Sequence, residues 1–439
     1  MPNPPLVTRT SRPAPTRQAA PQKPRTAVPG AGNAARQAGN RAKVTGTAMR
    51  VNLGRVFESE TSDYYLLFGT SMFLLLIGLV MVLSASSVDS WLASGDFFGG
   101  FSRQLLFAVI GIPLMLLASR MPLVFWKKWA KFFLYLGGAL QLLVFTPLGY
   151  ETGGNRNWIN IGGFTAQPSE LIKIALAVWL GVILPISMNR NGHTWRVITP
   201  LVPGLAIIAL VLLGGDMGTV IILSMIVFAG MFFAGLSWRV LMIPIVFAIG
   251  GFLLLTITSP NRMARFTSFL GASCTDYTNL CWQPLHGTWA LANGGIFGVG
   301  LGNSKAKWSW LPAADNDYIF AIIGEELGLI GCIVVLGLFV LLAVTFLRII
   351  RNAKDPMVRI TTGAVMVWII GQGFINIGVV LGVLPVLGVP LPLLSAGGTS
   401  LVATLIAIGV VLSFTREAAG KKMHVSKKER TAANGARRL

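Results

Sequence analysis

The sequence predicts an all-α polytopic membrane protein with ten transmembrane helices and a large extracytoplasmic loop between the seventh and the eighth. Three observations predict it. Hydrophobic residues make up 54% of the 439 residues and charged residues only 12%, where a soluble domain carries about 25% charged. Apolar runs of about twenty residues, the length that crosses a bilayer, recur along the chain. Lysine and arginine also fall alternately on one side of those runs and not the other.

Residues 1–63 are rich in Pro, Ala, Arg, Gly and Thr, lack apolar periodicity and hold ten Lys/Arg against three acids. They read as a disordered basic cytoplasmic tail. Ten apolar segments follow, at about 64–87, 103–119, 128–147, 169–187, 197–213, 218–236, 239–258, 317–348, 358–383 and 393–415. Pro203-Gly204 and Pro244 interrupt two of these stretches, which is tolerable where neighbouring helices re-satisfy the freed backbone. Residues 64–415 thus form the transmembrane domain and 416–439 a second basic cytoplasmic tail. The net charge of +20 resembles that of a nucleic-acid binder until it is located. Much of it sits in the tails, which suits a cytosolic membrane face with anionic lipid, so no nucleic-acid partner is expected. Three cysteines and three histidines offer no metal-cluster spacing.

Orientation follows from counting. With the amino terminus inside, 29 of the 36 Lys/Arg fall on the inner side, as the positive-inside rule requires. The outer seven are Arg103, Arg156, Lys173, Arg262, Arg265, Lys305 and Lys307. Ten of the sixteen acids fall on the outer side, so the chemistry is expected to face outward. Two outer loops are long. The first, about 148–168, contains Asn155 to Phe164 (NRNWINIGGF), which reads as a membrane-skimming segment. The second, 259–316, far exceeds an ordinary connector and suggests function.

That second loop contains Arg262 and Arg265, three residues apart and therefore neighbours if the segment is helical. Two guanidiniums there suit bidentate capture of a pyrophosphate; anchoring at the interface is the alternative. Asp276 follows, the only acid between Asp216 and Asp315. A lone loop aspartate is either a general base or a turn former. Cys274 and Cys281 flank it in an oxidising compartment, where a disulfide is allowed; two separate thiols are the other reading.

Four further stretches carry polar groups. In QPSELIK, Glu170 and Lys173 stand at i,i+3 as the fourth segment begins, each the other's natural partner inside a membrane; the pair serves substrate or is purely structural. In GGDMGT, Asp216 is a helix N-cap by default, or else a cation or substrate contact. In AADNDYIFAIIGEELG, Asp315 and Asp317 form a weak metal-gripping pattern. Glu325 and Glu326 lie about two turns into the eighth segment, where a polar cavity must receive them. In PLLSAGGTSL, Ser395, Gly397, Gly398, Thr399 and Ser400 open the tenth segment, with amides suited to an anion or glycines suited to close helix contact. No Walker A, Rossmann or His-based zinc pattern occurs, which argues against an ATP-driven pump and a zinc enzyme.

Taken in order, GGNRNWINIGGFTAQPSELIK, GGDMGT, the Arg-x-x-Arg…Asp loop, GLGNS, DNDYIFAIIGEELG and PLPLLSAGGTSL resemble the SEDS family (shape, elongation, division and sporulation). The resemblance covers about 64–415 and is closer to the FtsW branch than to RodA. It implies ten transmembrane helices and a peptidoglycan glycosyltransferase that polymerises lipid II in the bacterial plasma membrane, at the division septum. It also implies a class B penicillin-binding protein as transpeptidase partner, with other divisome proteins. The family's essential loop aspartate corresponds to Asp276. Here Asp-Pro becomes Asp276-Tyr277, and the Gly-Tyr-Gln stretch becomes Cys281-Trp282-Gln283. On this reading Asp276 is the general base, with Arg156, Lys173, Arg262 and Arg265 neutralising the pyrophosphate. Gln283 and Asn303 (of GLGNS) join the substrate set. Asp216, Asp317, Glu325 and Glu326 orient those cations or hold a divalent ion such as Mg or Mn. A lipid II flippase and a non-catalytic divisome scaffold are the rival readings.

Overall fold

The computed structural model describes residues 61–152, 155–162, 164–190, 199–258, 263, 269 and 281–416. Asp276, Arg262, Arg265 and Cys274 lie outside the described residues, as do most of the two tails.

Helix α1, Ser62–Ser94, starts where the Thr61 hydroxyl accepts from the Tyr64 amide and stops at Gly95, whose φ of 71° ends the helix. Helices α2, Gly99–Arg120, and α3, Leu123–Leu143, are separated only by Met121 and Pro122. A small antiparallel sheet of β1 (Gly149–Thr152), β2 (Asn155–Ile161) and β3 (Phe164–Ala166) follows in the order β1-β2-β3. Then come α4 (Pro168–Arg190), α5 (Val202–Leu213), α6 (Met217–Ala234) and α7 (Trp238–Thr258). Within the second long loop stands α8 (Trp282–Gly294), and after it come α9 (Ile319–Asn352), α10 (Pro356–Val380) and α11 (Gly398–Arg416).

Each of the ten apolar segments expected from the sequence contains one of these helices, and the chain is a membrane protein of helical architecture. Seven helices, α1, α2, α4, α6, α9, α10 and α11, are long and apolar enough to cross a bilayer. Two of the others fall short for visible reasons: helix α3 carries Lys127, Lys128 and Lys131, and α5 has only 12 residues.

Two expectations change. The stretch expected to skim the membrane is β2, paired on both sides: Gly149 opposes Ile159, and Ile159 opposes Ala166. Its two-residue period explains this, with Asn157 and Ile159 buried while Arg156 and Asn160 are exposed. The second long loop, read as loop over all of 259–316, contains α8.

Helix α10 is central, packed against α4, α6 and α9, with Trp368 fully buried. Helices α4 and α11 are also strongly enclosed, while α2 and the outer face of α9 expose large apolar side chains such as Val109, Leu117, Ile333 and Val340. Helix α9 is broken once, at Gly328 (φ 68°, ψ −165°). Only glycine adopts that backbone at low cost, and any Cβ there would lie 2.4 Å from the Ile296 carbonyl oxygen.

Candidate functional site

Those polar side chains named from the sequence that lie among the described residues gather at one end of the bundle, around the sheet, the α5–α6 turn, residues 295–318 and residues 384–400. At the opposite end the ion pair Lys127–Asp355 (2.7 Å) joins α3 to the start of α10.

Asp216 is the N-cap of α6. Its Oδ1 accepts from the Thr219 amide at 3.0 Å, which supplies one of the donors a helix start leaves unmet. Its Oδ2 accepts from Asn157 Nδ2 and Gln167 Nε2, each at 2.8 Å. One buried carboxylate therefore ties β2, the entry to α4 and α6 together. Arg156 lies beside it: its amide donates to Gly214 O at 2.9 Å. Its guanidinium donates to Val144 O at 3.0 Å and Thr146 O at 2.9 Å. These are carbonyls at the end of α3, where a cation is favoured.

Glu170 and Lys173 form the ion pair expected from their spacing, at 2.7 Å with both side chains buried. The ammonium also donates to Gln372 Oε1 at 3.2 Å and sits 5.0 Å from the centroid of Trp368. Gln372 in turn accepts from Trp368 Nε1 and donates to Pro390 O. A charge inside a span is costly unless partnered, and here α4 and α10 supply the partners.

Glu325 and Glu326 precede the break in α9. Glu325 Oε1 accepts from Asn293 Nδ2 (2.8 Å) and the Lys305 amide (3.1 Å), and its Oε2 accepts from the Ser304 hydroxyl and the Ala306 amide (3.3 Å). Glu326 accepts from the Ser84 hydroxyl (2.6 Å) and from Lys307 Nζ (3.3 Å). Lys307, counted from the sequence as an outer cation, is itself buried and donates to Gly302 O at 2.6 Å. The two carboxylates hence fasten residues 302–307 and α1 to α9, and the donors around them come from the protein itself. The break leaves main-chain carbonyls without helical partners; Glu325 O accepts from the Val299 amide and Glu326 O from the Gly300 amide.

At the start of α11 a polar cavity of about 220 Å³ is lined by Arg103, Gln104, Phe107, Trp158, Thr165, Asp315, Gly397, Gly398 and Thr399, with Gly100 and Ala396. Arg103 is held in place by Thr165 Oγ1 at 2.6 Å. Gln104 donates to Ser395 O at 2.9 Å and accepts from the Gly397 amide at 3.3 Å. Ser395 accepts from the Leu391 amide and donates to Asn316 O, and Thr399 accepts from the Gln167 amide. Ser400 belongs to the first turn of α11, its amide donating to Gly397 O. Burial pushes the Asp315 carboxyl above the usual range; its own backbone opposes the shift and Asp89's charge adds to it. The cavity thus combines a guanidinium, a carboxyl, an indole and helix-start amides, a set suited to sugars and phosphates.

Among the other named residues, the Asp317 carbonyl accepts from Asn376. Asn303 donates to Val299 O in a turn, and Gln283 donates to Pro312 O. Cys281 is disulfide-bonded, whereas Cys332 is free and buried. Among the described residues no three His, Cys, Asp or Glu side chains gather as metal ligands. Since Asp216, Glu325 and Glu326 are already met by protein donors, no cation role is derived for them.

Sequence reasoning missed Arg103, Gln104, Trp158 and Thr165 as a set, and treated Asp315 only as half of a weak metal pattern. The signal available was Arg103's place among only seven outer cations.

The chain matches the FtsW/RodA/SpoVE family, described as cell cycle proteins, over residues 64–420. It is 36% identical over 369 residues to the probable peptidoglycan glycosyltransferase FtsW of Mycobacterium bovis, covering 84% of this chain and 70% of that protein. Its fold is similar to a chain of a peptidoglycan synthase complex studied for the coordination of polymerization and crosslinking. There the TM-score is 0.64 and the identity 25%, over 80% of this chain and 97% of the other. The Thermus thermophilus rod shape determining protein RodA is also similar, with a TM-score of 0.60 and 25% identity over 80% and 96% of the two chains. The matched span, the helical architecture and these likenesses together establish that the chain belongs to the FtsW/RodA/SpoVE family.

Proposed function

We propose that this protein is a peptidoglycan glycosyltransferase that polymerises lipid II during bacterial cell division, with Asp276 as general base. The observation that carries the reading is the polar cavity at one end of a lipid-embedded helical bundle. It lies in a chain whose relatives over most of its length are named glycosyltransferases. A lipid-linked sugar needs such an arrangement, with its tails beside apolar helices and its head at a polar mouth.

The reaction places the acceptor's 4-hydroxyl against the anomeric carbon of the donor sugar. The C–O bond to the polyprenyl pyrophosphate breaks, the glycosidic C–O bond forms, and Asp276 takes the hydroxyl proton. Pyrophosphate is a good leaving group, so positioning and charge neutralisation matter more than acid catalysis. Arg262 and Arg265 supply that charge, joined by Arg103 from the cavity. Arg156 and Lys173 act instead as positioning residues, because their cations already bind α3 carbonyls and the Glu170 carboxylate. A Cys274–Cys281 bridge confines the Asp276 loop; its support is that Cys281 is bonded, Cys332 is free and the chain has three cysteines. Ten spanning helices, cytoplasmic termini, a septal location and a class B penicillin-binding protein as partner complete the reading.

The test is polymerisation of lipid II by the purified protein, wild type beside Asp276→Ala, with and without the transpeptidase partner. Glycan strands from the wild type and none from the variant are expected, with partner binding intact. Strands from both would remove Asp276 from the chemistry. Transport of lipid II without strands would favour the flippase reading, and neither activity beside intact complex formation the scaffold.

A further inference from the structure

Between Trp282 and Trp310 the chain has no carboxylate and, besides His286, only two basic side chains, Lys305 and Lys307. Lys307 is buried against Glu326, so Lys305 is the one exposed Lys or Arg of the stretch. A water-exposed loop of this length would hold several charges. Instead Phe297 is 80% exposed, and Trp289, Ile296, Leu301, Trp308 and Trp310 are each more than half exposed. The outward direction of these side chains is built in. Helix α8 turns Gly287, Ala290 and Gly294 inward, where a Cβ on Gly294 would meet Gly324 O, so its bulky Trp289 must face away.

The depth of this patch can be read from α9. Leu327 to Leu347 is an uncharged run of 21 residues, bounded by Glu326 and Arg348, and about 20 apolar residues cross the hydrocarbon layer. The break at Gly328 therefore stands at one boundary of that layer. Residues 295–300 are fixed to this level by the backbone. Leu329 N donates to Gly295 O (2.9 Å), Ile330 N to Ile296 O (3.3 Å), and Val299 N to Glu325 O (2.9 Å). Leu329 and Ile330 are themselves exposed on the span, so the patch continues the lipid-facing surface of α9 without interruption.

We propose that the segment Trp282–Trp310 is an interfacial anchor that lies in the headgroup–acyl boundary, with Phe297 and Leu301 entering the acyl region. Its occupant is the bilayer itself. Tryptophan collects at that level because its ring is apolar and its N–H polar, and the one exposed lysine suits phosphate headgroups. A segment of this kind holds its side chains about 5–10 Å into the boundary. It also sets the height above the membrane of Cys281, where the loop bearing Asp276 ends.

The experiment places a nitroxide label on Phe297→Cys, and separately on Leu301→Cys, in full-length protein carrying Cys332→Ser. The label is read in nanodiscs of phosphatidylcholine and phosphatidylglycerol without any partner. Glu151→Cys, on an exposed strand, serves as the aqueous reference. Collision with oxygen and with a water-soluble nickel chelate reports depth. At 297 and 301 we expect oxygen collisions to exceed the Glu151→Cys value and nickel collisions to fall at least threefold below it. Nickel collisions equal to the reference would show a solvated loop and overturn the proposal. Shielding from both reagents would show a protein contact, such as a second copy of the chain, and would overturn it equally. Neither readout depends on catalysis, so failure here leaves the transferase reading standing.

Discussion

Removing the Lys307 ammonium should destabilise the bundle more than removing both members of its pair. In Lys307→Met the side chain keeps its length and apolar stem, so little packing is lost. What disappears is the contact to Glu326 Oε1 at 3.3 Å, with those to Gly302 O at 2.6 Å and Ser84 Oγ at 3.2 Å. Glu326 is 1% exposed and would keep only the Ser84 hydroxyl and a long contact to the Ser304 amide at 3.4 Å. Stranding one charge of a buried pair costs about 3–5 kcal/mol. Glu326→Gln alone strands the ammonium and belongs in the same range. The double variant strands neither, and replacement of a buried pair by uncharged groups is often neutral. The assay is denaturant or thermal unfolding of the detergent-solubilised protein, arranged as a double-mutant cycle. The expected outcome is two damaged single variants and a double variant nearer wild type than either. Single variants that cost under about 1 kcal/mol, the range of solvated pairs, or simple additivity in the double, would refute the claim that this pair is buried and coupled.

Two other outcomes follow from the geometry. Gly328→Ala forces a side chain onto a backbone at φ 68° and a Cβ to 2.4 Å from both Ile296 O and Gly298 N; it should lower unfolding stability by at least the roughly 1–3 kcal/mol of a strained residue. An unchanged unfolding midpoint would show that the break is not fixed. Asp315 has a folded-state pKa raised by burial. Such a group contributes stability that is full below its unfolded value of about 3.9 and lost as pH rises through the folded value. Asp315→Asn should therefore be more stable than wild type at pH 7, and the gap should close as pH approaches 4, by thermal unfolding across a pH series. A gap independent of pH would contradict the burial argument.

What the sequence shows of this molecule divides by distance along the chain. The helices are legible because an apolar run of about twenty residues has few other fates. The Glu170–Lys173 pair is legible because i,i+3 residues meet on a helix, and Asp216 because an aspartate before an apolar run caps it. The partners of Glu325 and Glu326 are not legible. They come from Ser84, Asn293 and residues 304–307, and no local pattern links α1 to α9. For the same reason Arg103 could not be joined to Asp315 or Gly397, which lie hundreds of residues away and meet only when α2, α11 and the sheet close on one another. The sheet is hard to see in NRNWINIGGF because its apolar residues suggest an interfacial run, while only their two-residue alternation specifies a strand.

The interrupted helix α9 has one more consequence. Because residues 295–300 hydrogen-bond to both sides of the gap at Gly328, the two arms of α9 share one strap. A movement of either arm must carry that strap with it or break those bonds, and the strap leads back through α8 to Cys281.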